Sequence, residues 1–133
     1  RGNLLLLAEE KPQIDARELE YCIRESLDNL SLGSVYTSFE SECNGTLNAE
    51  YIVAVYDFYE TLAEKLMNNI TAMLVRLNCN EGSLKMNVQM GCIEDIAKQV
   101  LDGVQMPLGS FVYDIDDEDI SITLTLKDWG VTV

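Results

Sequence analysis

The period of the apolar positions changes several times along the chain, and each change marks an element. From Asp15 a helical stripe runs through Leu19, Cys22 and Ile23, Ser26 and Leu27, to Leu30. This predicts a first helix of about four turns, closed by Gly33. Asp15 and Glu18 have the spacing of a capping box at its start. Val35, Thr37 and Phe39 then alternate with Tyr36, Ser38 and Glu40, the pattern of a half-buried strand, and Asn44-Gly45 marks a turn. A second helix, capped by Thr46 or Asn48, carries Ile52, Val55 and Tyr56, Tyr59, Leu62 and Ala63, and Leu66 on one side.

Two strands follow, Ala72–Cys79 and Ser83–Met90, joined by a hairpin at Asn80-Glu81-Gly82. In the second, Leu84, Met86, Val88 and Met90 point inward, and Ser83, Lys85, Asn87 and Gln89 outward. Gly91-Cys92 opens a loop into a third helix, Ile93 to about Leu101, which Gly103 ends in a left-handed cap. Pro107 and Gly109 sit in a linker. Phe111–Tyr113 reads as a strand, Asp114–Asp119 as an acidic turn, and Ile120, Ile122, Leu124 and Leu126 as the inward face of the last strand. The tail from Asp128, with Trp129, is too short to assign. These elements add up to an α+β fold: a two-layer α/β sandwich whose mixed, mostly antiparallel sheet carries about three helices on one face.

Composition narrows the chemistry. A chain of 133 residues, 47% hydrophobic and 24% charged, is most simply one ordinary globular domain. Its 23 acidic residues against 9 basic give a net charge of −14, a field that repels phosphate backbones and anionic lipid. Nucleic acid and direct membrane contact are therefore not expected of it. A nucleotide, also an anion, would need a metal or a helix N-terminus nearby. With no histidine in the sequence, histidine-based acid–base catalysis, Ser-His-Asp or Cys-His nucleophiles and a phospho-accepting histidine fall away within these residues.

Cys22, Cys43, Cys79 and Cys92 are well spread without a CxxC pair, so zinc and redox spacings are missing; they read as free buried thiols of a reducing cytosol. Asn29-Leu30-Ser31, Asn44-Gly45-Thr46 and Asn69-Ile70-Thr71 fit the N-glycosylation triplet. The acidic run DIDDED suggests calcium, but without the spacing and central glycine of an EF-hand it reads as a solvated hairpin tip. Glu60 and Glu64, four residues apart, share one helix face beside the apolar stripe, either as a solvated surface or as the wall of a polar pocket. Leu4-Leu5-Leu6-Leu7-Ala8 is far too short to span a bilayer. The start at Arg1-Gly2 has no secretory cleavage pattern, and the chain reads as a piece of a longer protein whose apolar first turn continues an upstream helix.

This order, with a long helix feeding a hairpin and a glycine at the end of its second strand, resembles the ATP-binding domain of sensor histidine kinases. That is the GHKL fold shared with DNA gyrase, a class of heat-shock chaperones and the mismatch-repair ATPases. The resemblance covers about Glu18 to Leu126 and is nearest to compact clostridial-type catalytic domains. It implies that residues 1–13 end an upstream linker or dimerisation helix and that 14–133 form the ATP-binding-fold domain. In the family the long helix carries a glutamate, matched by Glu60, and four residues later a magnesium-holding asparagine, whose place is taken by Glu64. The family's DxGxG motif, whose aspartate holds the adenine amino group, falls on Gln89-Met90-Gly91-Cys92-Ile93. Gln89 stands for the aspartate, Gly91 for the first glycine and Ile93 for the second.

The resemblance thus implies Glu60, Glu64, Gln89 and Gly91 around ATP, with Glu64 on magnesium. It also implies a cytoplasmic domain of a membrane-associated protein, homodimeric through its upstream helix and paired with a response regulator. With most motif residues replaced, the expected function is a degenerate ATPase-like signalling domain. The alternatives are an active kinase domain phosphorylating a histidine outside these residues and an extracellular acidic binding domain.

Overall fold

The computed structural model describes residues 2–80 and 83–127. In chain order the elements are α1 (Gly2–Glu10), β1 (Gln13–Asp15), α2 (Ala16–Leu32), β2 (Tyr36–Glu42), β3 (Thr46–Asn48), α3 (Ala49–Leu66), β4 (Ile70–Asn80), β5 (Ser83–Cys92), α4 (Glu94–Gly103), β6 (Ser110–Asp116) and β7 (Asp119–Lys127). Five strands form one sheet in the order β2-β4-β5-β7-β6. Only β2 and β4 are parallel, as the intervening α3 crossover requires; the remaining neighbours are antiparallel.

One face of the sheet is the core. Met73, Val75 and Leu77 of β4, Met86 and Val88 of β5, and Ile120, Ile122 and Leu124 of β7 are buried on it. Against them pack Leu19, Ile23 and Leu27 of α2, Ile52, Tyr59, Leu62 and Leu66 of α3, and Ala97 and Leu101 of α4. Each buried Val, Leu, Ile or Met side chain among them contributes about 1.5–3 kcal/mol by leaving water. The Arg24 guanidinium lies 4.7 Å above the Phe39 ring, and Phe58 meets Phe111 at 4.9 Å, so α2 and α3 reach opposite ends of the sheet. The other face is half-open: Gln89 there donates to Ser121, and Arg76 pairs with Glu40. The two-layer sandwich with a mixed, mostly antiparallel sheet is the architecture read from the periodicity.

Several details differ. A three-residue ladder between β1 and β3 went unread because three residues are too few to display a period. It makes Thr46 a strand residue and leaves Asn48 as the cap of α3, accepting from the Glu50 amide. Asp15 caps α2 by accepting from the Arg17 amide and pairs with the Arg17 guanidinium, so Arg17 rather than Glu18 completes that start. Gly91 and Cys92 do not open a loop; they lie within β5, Gly91 facing Ala72 and Asp119. Gly103 is the last residue of α4 and not a left-handed cap; among the described residues the left-handed glycines are Gly45 and Gly109. The acidic stretch is mostly ladder, with only Asp117-Glu118 turning. The four cysteines are not all thiols: Cys43 and Cys79 form a disulfide, while Cys22 and Cys92 are free. Cys43 lies just past β2 and Cys79 near the end of the adjacent β4, so parallel pairing brings them together. The α1 helix buries Leu4 in the domain core. The Glu81-Gly82 turn and the tail with Trp129 lie outside the described residues.

Candidate functional site

The apolar stripe of α3 seats the helix on the sheet and so decides what its other sides face. Glu60 and Glu64 turn toward α2, where they meet Glu18 and Glu25 across a groove of about 440 Å³. That volume lies within the range of about 300–1,000 Å³ typical of ligand pockets. The exposed Tyr21, Cys22, Ser26, Asn29 and Leu30 also line the groove from α2, and Tyr56, Ala63 and Met67 from the opposite side. None of the described residues lining it is a lysine or arginine.

Burial sets the protonation of the groove's neutral groups. Tyr56 is buried beside Glu60, and desolvation first, then the Glu60 charge and its hydrogen bond, raise the phenol well above its ordinary value. Tyr59, wholly buried behind it, is pushed up to about 12 by desolvation, partly offset by its 2.8 Å bond to Ser26. The Cys22 thiol is also raised, by burial first and by the carboxylates around it. Such a thiol stays protonated near neutrality and is a poor nucleophile. The groove can therefore hold positive charge, and it offers neither an activated nucleophile nor a cationic partner for phosphate.

The other expected site residues lie elsewhere. Gln89 projects from the half-open face of the sheet, the face turned away from α3. Gly91 sits on that face beside a β-bulge, and a side chain there would run into the Thr71 hydroxyl, so packing is what it serves. Glu60 and Glu64 are brought together; Gln89 and Gly91 do not join them. On the α4 side of α3 the residues four apart are Asp57 and Thr61, and the cleft they line with Phe58 and Met106 holds only about 90 Å³. Among the described residues no group of three or more Cys, Asp and Glu side chains is placed to hold a metal ion. No described helix is long and apolar enough to cross a membrane.

The sequence offered Glu18 only as a helix cap and Tyr56 only as part of an apolar stripe, and it did not mark Glu18, Tyr21, Glu25 or Tyr56 as site residues. The signal existed: Glu18, Cys22, Glu25 and Asn29 repeat at helical spacing beside the buried stripe of Leu19, Ile23 and Leu27. Only the approach of α3 gives that second stripe a meaning.

Neither a protein-family model nor a curated protein sequence matches the chain. Solved structures do. The catalytic domain of the histidine kinase ThkA superposes with a TM-score of 0.60 at 9% identity, over 87% of this chain and 94% of that one. The Acinetobacter baumannii histidine kinase AdeS gives 0.62 at 6% identity, over 96% of this chain and 75% of that one. ThkA in complex with the response regulator protein TrrA gives 0.50 at 8% identity, over 87% and 41%. At such identities the likeness is one of fold, and the domain has the fold of histidine kinase catalytic domains.

Proposed function

We propose that this is an ATPase-like domain of a sensor histidine kinase-like signalling protein, kept as an interaction module with a degenerate nucleotide site. One observation carries the reading: the two glutamates matched to the nucleotide site line a groove walled by four carboxylates and no cation. ATP with magnesium does not fit these residues. A triphosphate there would face like charges at close range, and phosphoryl transfer depends on neutralising that charge. The cleft on the α4 side is too small for a nucleotide. In this reading the domain works through the helix upstream of it in a homodimer on the cytoplasmic side, with a response regulator as its output partner, as ThkA has TrrA.

Calorimetric titration of magnesium-ATP into the folded chain, with Glu60→Ala as control, tests this. No heat of binding is the expected result. Micromolar binding abolished by Glu60→Ala would overturn it in favour of an active kinase domain. A second reading, an acidic binding domain outside the cell, is favoured by the Cys43–Cys79 disulfide, since such bonds persist in oxidising compartments. Acid-quenched alkylation of protein from its native host separates the two. Four labelled thiols remove the extracellular reading, whereas two labelled thiols with glycan on the exposed Asn29 or Asn44 support it.

A further inference from the structure

We propose that the groove between α2 and α3 is a docking site for a basic amphipathic helix of a partner protein, an inference that rests on the interaction-module reading above. The first argument is charge. Glu18 and Glu25 face Glu60 and Glu64, and no lysine or arginine lines the space between them. Three arginines elsewhere on the domain have local partners: Arg17 has Asp15, Arg76 has Glu40, and Arg24 lies over Phe39. Within the groove the complement must come from outside. A second copy of a chain with net charge −14 cannot supply it, and nucleic acid is repelled.

The second argument is the apolar rim. Tyr21 of α2 is 69% exposed and Met67, the residue just past α3, is 53% exposed, and both border the groove. Aromatic and methionine side chains at a rim are the residue types that protein interfaces favour. Tyr21, one turn from both Glu18 and Glu25, can also receive a guanidinium or ammonium on its ring face.

The third argument is length. The α2 wall runs from Glu18 to Leu30, and the opposite wall from Tyr56 to Met67 just past the end of α3, each about three turns or roughly 17 Å. A helix of similar length, apolar along one stripe and flanked by lysine or arginine, satisfies the carboxylates and covers the rim together. A small polyamine would meet the charges and leave Tyr21 and Met67 exposed.

The test titrates the full chain with a synthetic Lys/Leu amphipathic helical peptide, its Glu/Leu counterpart and spermine. Wild type is set beside three variants: Glu25→Lys with Glu64→Lys in the groove, Asp114→Lys with Asp116→Lys on β6, and Tyr21→Ala. The two double variants change net charge equally, so they separate the groove from the general field. Expected is binding of the Lys/Leu peptide alone, weakened about tenfold or more by the groove pair and several-fold by Tyr21→Ala, but only about twofold by the β6 pair. Equal weakening by both pairs, spermine binding as tightly as the peptide, or no peptide binding by folded wild type would each overturn the proposal. The magnesium-ATP titration stands apart. Nucleotide binding defeats the module reading itself, whereas silence from both ATP and peptide defeats only the docking site.

Discussion

Tyr59 has its whole side chain in the core, and its hydroxyl donates to Ser26. Its phenol has a folded value of about 12 against an ordinary 10.0, so folding favours the protonated form. That contribution is complete below pH 10 and is lost as pH rises toward 12. Tyr59→Phe is expected to cost about 0.5–1.5 kcal/mol at pH 7, the worth of a buried hydrogen bond, and to melt less steeply than wild type above pH 10. Parallel melting curves with pH would show that the hydroxyl is not buried in solution. Gly91 makes a different point. Its place at the end of a strand was visible in the sequence, but its reason was not, because the reason is the Thr71 side chain on β4. Gly91→Ala should cost about 1 kcal/mol and recover in the background of Thr71→Ala. Gly109→Ala should cost more, since its Cβ would meet the Thr125 carbonyl at 2.6 Å in a backbone with φ of +76°. Chemical denaturation of the three variants ranks them.

Between elements, the chain wastes no loop where strand meets helix. Asp15 ends β1 and caps α2, and Asn48 ends β3 and caps α3. The Ala16 amide donates to the Gly45 carbonyl and the Ala49 amide to the Pro12 carbonyl, so each helix start is tied to the residue preceding the other strand. This reciprocal corner explains what the sequence hid. The long amphipathic stripes and the alternation of β5 and β7 were legible because each spans many residues of one period. The corner has three-residue strands whose polar residues are equally good caps, and its meaning is a pairing between positions 33 residues apart. Asn48→Ala is therefore expected to cost about 1 kcal/mol or more, since it weakens a helix start that both strands share. The Cys43–Cys79 bond anchors the chain immediately before this corner. Closing a loop across a separation of 36 residues, it is expected to contribute about 2–4 kcal/mol. Melting with and without reductant measures this, and Cys43→Ser should lose the reductant sensitivity.

At the scale of the whole molecule, the two layers and the order of the main elements along the chain could be inferred from the sequence, but the direction in which the site glutamates look could not. Spacing placed Glu60 and Glu64 on one side of a helix; only packing decides whether that side meets α4 or α2. The answer bears on stability. A net charge of −14 repels itself, and four carboxylates gathered in one groove concentrate that repulsion. The ion pairs between Arg17 and Asp15 and between Arg76 and Glu40 are exposed and offset little of it. Salt shortens the range of both effects, to a Debye length of about 3 Å at 1 M, and here it removes more repulsion than attraction. Raising sodium chloride from low to molar concentration should therefore lift Tm by roughly 2–6 °C. Glu64→Lys should raise Tm at low salt and lose most of that advantage at high salt. If the groove exists to receive a cationic partner, its like charges are a standing cost that substitution relieves while binding suffers. A Tm that falls with salt, or a Glu64→Lys variant less stable than wild type at every salt, would mean that these glutamates stabilise the fold instead.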